Sequence, residues 1–230
     1  MTRKMTFMLG FGLSILILSP LYARPLDKVI AFYKNKPCMS ADFQQSVEVK
    51  SPHRVLRRKG RVYFSRPGRM RWDYKWPDEV YYVSDGTTFW AYDVDEEVVY
   101  KSEVSKSNLF FALKFLFNFK GIYADFRCSV LRSDLPGTVD VQLIPKRRLP
   151  VKKLEIVYEA KTGQVVQTVV IDNLNNRSTI RFTHPKYDNI PASVFDFKVP
   201  KGIPVQDLQK AVRKPASKTK AKTKAKTKDK

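Results

Sequence analysis

Two histidines, two cysteines and one acidic run are the residues that could cut a bond or hold a metal, and their spacing suits neither task. His53 follows Pro52 and His184 precedes Pro185, far apart in sequence and both in turn-like surroundings. With no Cys/His cluster, a zinc site of ordinary ligand spacing is not formed. Asp93-Val-Asp-Glu-Glu97 gathers four carboxylates, but it lacks the ordered oxygen spacing and glycine of a calcium loop and reads as a solvated hairpin turn. No glycine-rich phosphate loop follows a strand pattern, and no nucleophile motif surrounds Cys38 or Cys128. The sequence therefore gives no support to an enzyme, and it calls for no cofactor and no metal.

The chemistry that the residues do support is apolar contact. From Phe64 to Asp93 the chain carries all three tryptophans amid Tyr and Phe, punctuated by Pro67-Gly68 and Asp85-Gly86. Met70, Trp72 and Tyr74 alternate with Arg69, Arg71, Asp73 and Lys75, which is the pattern of a strand with one aromatic and one charged face. Such a face needs an apolar cover. Either it packs on other core residues, or it holds a ligand such as an acyl chain. Each methylene removed from water contributes about 0.8 kcal/mol, so one long chain offers on the order of 10 kcal/mol before ordering costs.

The elements that must position this face read as strands throughout. Pro25 to Lys36 has the apolar spacing of a short amphipathic helix, through Leu26, Val29, Ile30 and Tyr33. Strand patterns then cover 39–50, 56–64, 69–75, 79–84, 88–92 and 98–101, resume at 124–131, 139–144, 153–158, 165–172 and 178–183, and end with 194–199. Turn signals at Pro136-Gly137, Gly163 and Asn173 to Asn176 join the later ones. Hairpin succession on this scale predicts a large antiparallel sheet, curled or closed, with few helices. One segment departs from it. After Asn108, residues 109–119 hold five Phe and are apolar on every side except at Lys114 and Asn118. Two readings stand for this helix: a fully buried core element, or a lid touching an apolar ligand.

The ends are of a different kind. Arg3 and Lys4 precede an apolar run from Phe7 to Leu18, with a plausible cleavage point after Ala23, so residues 1–23 read as a signal peptide and the mature chain as a soluble exported protein. No cysteine follows that run, as a lipoprotein would need. Export places Cys38 and Cys128 in an oxidising compartment, where they either pair as a disulfide or are two unrelated buried thiols. The net charge is +21, of which the Lys/Thr/Ala/Ser-rich tail 210–230 supplies +9. With no large apolar residue after Val212, the tail is expected to be disordered. Two readings stand for it: a solubilising extension, or a weak contact with anionic lipid headgroups, worth about 1 kcal/mol per Lys near the surface. The export signal argues against nucleic acid as the partner. Residues 24–209 make one domain.

These residues carry a family resemblance. Phe43-Gln44-Gln45, Gly60, Arg66-Pro67, Arg71-Trp72, Pro77, Val83-Ser84-Asp85-Gly86, Trp90 and Tyr92-Asp93 stand in one register, followed by Leu143-Ile144-Pro145-Lys146, Asp172, Phe195-Asp-Phe197, Val199-Pro200, Gly202 and Val205. The set resembles the LolA family of lipoprotein carriers and spans the mature body. The resemblance implies a mainly β fold with lid helices, an unclosed antiparallel β-barrel of about eleven strands covered by short α-helices around an apolar cavity. It further implies a monomeric periplasmic carrier that takes acylated lipoproteins from an ATP-driven releasing complex in the inner membrane. Delivery is to an outer-membrane acceptor, LolB or its equivalent, and no cofactor is bound. By the same resemblance Arg66 is the latch that holds the lid closed when the carrier is empty; a surface arginine at a strand end is the alternative. Met70, Trp72, Tyr74, Phe89 and Trp90 are candidates for the acyl-chain cavity or its mouth, and Leu109, Phe111, Phe115 and Phe119 for the lid. Three other functions remain open: a carrier of another lipid on this fold, an envelope-stress sensor domain, and a structural envelope protein binding anionic polymers through its tail.

Overall fold

A computed structural model describes residues 24–104 and 121–208. The expected signal peptide, the tail from 210 onward and the whole 109–119 segment, with Leu109, Phe111, Phe115 and Phe119, lie outside the described residues.

Helix α1 (Asp27–Lys34) leads into a run of hairpins: β1 (Cys38–Lys50), β2 (His53–Ser65), β3 (Arg69–Trp76), β4 (Val80–Ser84), β5 (Thr88–Asp93) and β6 (Val98–Glu103). A single helical turn, α2 (Ile122–Asp125), opens the second run of β7 (Phe126–Leu131), β8 (Thr138–Pro145), β9 (Val151–Glu159), β10 (Val165–Asp172) and β11 (Arg177–Lys186). A 3₁₀ turn (Ala192–Phe195) and a short β12 (Val205–Asp207) complete the described chain. All twelve strands form one sheet in the order β12-β6-β5-β4-β3-β2-β1-β11-β10-β9-β8-β7. Every pairing is antiparallel except β12 with β6. The two ends, β12 and β7, are not paired with each other, so the barrel is unclosed. The expected mainly β architecture is the observed one.

Two expectations are corrected. Residues 124–131 do not form a strand from the start, because Ala124 and Asp125 belong to α2 and their amides bond back to the Gly121 carbonyl. Nor do residues 194–199 pair in a ladder. Their alternating Phe195 and Phe197 reflect burial alone: Phe195 is buried, and Phe197 lies 5.6 Å from Trp90 and 6.2 Å from Tyr92. Period-two alternation reports which side chains are covered, not whether the backbone has a partner strand.

The sheet has a long apolar inner face. On β1, β2 and β3 it is built by Met39, Ala41 and Phe43, by Val62 and Phe64, and by Met70, Trp72 and Tyr74, all buried. Trp72 packs at 4.8 Å from Phe43 and 5.7 Å from Phe64. The face continues across the sheet through Ile180, Phe182, Leu154, Ile156, Val141 and Leu143 into one core cluster. On the outer face, the chain between β11 and β12 straps the β3–β6 half, with Val194 accepting a hydrogen bond from Arg71 at 3.4 Å.

The cysteines stand apart as free thiols. Cys38 opens β1 and is buried beside Ser65, whereas Cys128 sits on β7 at the far end of the sheet order. Of the two readings, the disulfide is not the one formed. Burial pushes the Cys128 thiol above its ordinary value.

On the outer face of the other half, Glu155 is buried and held by Arg177 at 3.0 Å and Lys153 at 2.9 Å. Asp140 nearby is half-buried, with a buried Oδ1 that accepts no hydrogen bond. Desolvation first, and then the Glu155 charge, push its carboxyl from 3.8 up to about 6. Between those two pH values the folded protein keeps a proton that the unfolded chain has released. Stability therefore falls as pH rises from about 4 to about 6, and the deficit persists above. Asp140→Asn is expected to gain about 1 kcal/mol at pH 7, after the solvent screening of a half-exposed group, and nothing below pH 4. Urea unfolding of both proteins at pH 3.5 and pH 7 measures this, and equal midpoint shifts at the two pH values would refute it.

Candidate functional site

The described cover of the inner face is α1. Its apolar stripe, Val29 and Tyr33 with Leu26 just before it, is buried, while Lys28 and Lys34 face outward. An eight-residue helix is too short to hold itself together in water, so its docking contacts must do so. Those contacts come mostly from tyrosine hydroxyls and backbone. Tyr158 Oη donates to the Pro25 carbonyl at 2.7 Å, and the Leu26 amide donates to Tyr123 Oη at 2.8 Å. The Val165 amide donates to Tyr33 Oη at 3.2 Å, and Lys28 Nζ to the Ala160 carbonyl at 2.6 Å. Gly163, at φ +86°, lets the β9–β10 turn pass directly beneath the helix, since a Cβ there would lie 2.4 Å from the Lys28 carbonyl oxygen. Burial raises the Tyr33, Tyr158 and Tyr187 phenols above their ordinary value, so they stay neutral at any physiological pH.

The C-terminal end of α1 is held differently. Arg66 follows directly on β2, in the turn to β3, and its amide donates to the Pro37 carbonyl at 2.9 Å. Its guanidinium turns onto the last turn of the helix: Nη2 donates to the Tyr33 carbonyl at 2.9 Å and Nη1 reaches the Lys34 carbonyl at 3.5 Å. These carbonyls lie in the last turn of the helix, at the negative end of its dipole, where the regular i→i+4 bonds run out; the Tyr33 carbonyl also accepts the Lys36 amide at 3.2 Å. A planar cation with forked donors suits them well. Lys36 adds a second cation, donating to the Phe32 carbonyl at 3.0 Å and lying 4.0 Å from the Phe32 ring centre.

Of the residues expected at the cavity, Met70, Trp72, Tyr74 and Phe89 lie together on the inner face, in one cluster with Leu26, Val29 and Tyr33 of the α1 region. Tyr74 Oη donates to Gln45 Oε1 at 3.0 Å. Trp90 is placed elsewhere: as the neighbour of Phe89 on a strand it points to the outer face, against Phe197 and 4.9 Å from Lys101 Nζ. Sequence reasoning missed the α1 anchors Tyr123, Tyr158 and Gly163. Trp72 is 1% exposed, so any ligand reaching this face must first displace part of its cover. The arrangement can shelter apolar material and has, in α1, a cover held at one end by a cation.

A family model described as outer membrane lipoprotein carrier protein LolA matches residues 35–198. The chain belongs to the LolA family. Among curated proteins none matches its sequence. Among solved structures, it is similar to an uncharacterized conserved protein from Thermus thermophilus, at 12% identity and a TM-score of 0.52, covering 79% of this chain and 96% of that one. That likeness shows the fold. A LolA superfamily protein from Nitrosomonas europaea aligns at 11% identity and a TM-score of 0.45, covering 75% and 96% of the two chains. The MucA/MucB complex of Pseudomonas aeruginosa aligns at 12% and 0.43, covering 75% of this chain and 60% of that one.

Proposed function

We propose that this LolA-family chain is a periplasmic carrier. It shelters the acyl chains of lipoproteins released from the inner membrane and gives them up to an acceptor at the outer membrane, LolB or an equivalent. The donor would be an ATP-driven releasing complex, so the carrier itself needs no nucleotide, cofactor or catalytic residue. The observation that supports this reading best is the joining of Arg66 to the α1 carbonyls across the rim of a continuous apolar face. A plain core needs no cover that is closed by hydrogen bonds to a strand-end arginine. A carrier does, because it must exist both empty and loaded. Arg66 is thus the proposed latch, and Met70, Trp72, Tyr74 and Phe89 the proposed wall. Transfer runs one way if the acceptor binds the chains more tightly than the carrier does.

The test is acyl dependence. Mature protein incubated with a triacylated lipoprotein should give a soluble one-to-one complex on size-exclusion chromatography. The same lipoprotein with its lipidated cysteine replaced by serine should bind at least 100-fold more weakly, since the methylenes supply the driving force. Equal binding of both forms would reject the carrier.

A further inference from the structure

A second site lies on the opposite face of the sheet. An open cleft of about 360 Å³ is floored by β1 and walled by β2, β11 and the end of β3. In the ladder register, Lys59 and Arg181 flank Gln44 from the two neighbouring strands, and Arg57 and Thr179 flank Ser46 one row on. Strands lie about 4.8 Å apart and alternate residues about 7 Å apart, so three cations surround a floor of amide and hydroxyl groups within one small patch. Among the described residues, Arg57, Lys59 and Arg181 make no ion pair. The carboxylates in adjacent rows are already engaged: Glu48 with Lys50 at 3.7 Å, and Asp42 with Arg61 at 3.5 Å and His184 at 3.1 Å.

Trp76 completes the patch because of a bulge. Tyr74 opposes Gly60 and Trp76 opposes Lys59, so Lys75 is an extra residue on β3. Simple alternation would send Trp76 inward with Met70, Trp72 and Tyr74; the bulge turns it out beside Lys59, whose Nζ is 5.8 Å from the ring. It is left 48% exposed, and Val55, on the same face of β2, 41%. Lys50 to Lys59 carries Lys50, Arg54, Arg57, Arg58 and Lys59 with no acidic residue.

We propose that this outer-face patch docks the protein on an anionic phospholipid surface, with Arg57, Lys59 and Arg181 taking headgroup phosphates and Trp76 and Val55 entering the headgroup layer. A free phosphate would favour an enclosed cradle. Here the cations are spread over an open cleft and bordered by exposed apolar side chains, which is the combination that sits at a membrane–water interface. The proposal is independent of the acyl-chain reading, since Arg57, Lys59, Arg181, Trp76 and Val55, the residues it invokes, occupy the other face of the sheet.

The experiment uses the full mature chain, tail included, with Trp76 as a local reporter. Vesicles of phosphatidylglycerol with brominated acyl chains should quench its emission, and vesicles of brominated phosphatidylcholine should not. Trp76→Phe should lose the quenching, because Trp72 is buried and Trp90 is packed on Phe197. Arg57→Gln/Lys59→Gln/Arg181→Gln should raise the lipid concentration needed for half-quenching at least tenfold, each cation being worth roughly a factor of five near the surface. All three are exposed side chains, so its thermal midpoint should match the parent, and its uptake of acylated lipoprotein should be unchanged. Equal quenching by the two lipids, or unaltered quenching in the triple variant, would overturn the proposal. So would relief of quenching by millimolar inorganic phosphate beyond that of sodium chloride at equal ionic strength, which would assign the cleft to a free anion.

Discussion

Arg66→Leu is expected to bind acyl chains about tenfold more tightly and to hand them on correspondingly more slowly. The argument is one of linkage. If the empty carrier is closed and the loaded one open, every interaction made only in the closed state lowers the apparent affinity for cargo. The guanidinium bonds to the Tyr33 and Lys34 carbonyls join α1 to the end of β2. Hydrogen bonds from a charged donor contribute about 1.5–3 kcal/mol when protected from water, and less at a half-exposed rim. A net closed-state preference of about 1.4 kcal/mol is a factor of ten in affinity. Leucine keeps the bulk and loses every donor. Lysine keeps one charge without the fork and should fall between the two. Release of a fluorescent lipopeptide to detergent micelles, followed by stopped flow, measures both effects. A release rate equal to that of the parent would remove Arg66 from the latch.

How far this site was legible in the sequence differs from residue to residue. The inner face was readable because Met70, Trp72 and Tyr74 obey strict alternation, and a half-buried strand imposes that pattern on its side chains. The amphipathic helix at 25–36 was equally plain and needed only trimming to Asp27–Lys34. The α1 partners of Arg66 had no signature at all, because the Tyr33 and Lys34 groups it meets are backbone carbonyls and every residue carries one. Tyr123 and Tyr158 were invisible for a related reason. Each anchors α1 from about a hundred residues or more away, with |i−j| of 97 and 133, and no local pattern encodes such a contact. Trp76 shows where local rules mislead. Period-two reading puts it on the wrong face, and only the ladder register reveals the extra Lys75. Phe89 and Trp90 could not both face one cavity on a regular strand, so the residues alone already required a choice between them.

The bulge that turns Trp76 outward depends on Gly60, and Gly60→Ala should cost about 3 kcal/mol of folding stability. A Cβ built there would lie 2.0 Å from the Asp73 carbonyl oxygen and 3.0 Å from Phe43 Cε1. The first obstacle is backbone of the neighbouring strand, so no rotamer change can relieve it. Either β2 and β3 separate locally, losing ladder bonds, or the bulge is squeezed out. Phe43 is pinned as well, packed edge-on at 4.8 Å from Trp72 and 4.9 Å from Tyr74. Overpacking a well-filled core typically costs about 1–3 kcal/mol, and contact with fixed backbone belongs at the upper end. For a domain of this size that is a fall in Tm of roughly 6–12 °C. Calorimetry of the mature chain measures it, and a loss under about 1 kcal/mol would show that the strands part more easily than this packing implies. The same variant ties the two faces together. If the bulge collapses, Trp76 swings inward, its emission shifts to the blue, and the outer cleft loses its aromatic border while Arg66, just past the end of β2, keeps its hold on α1.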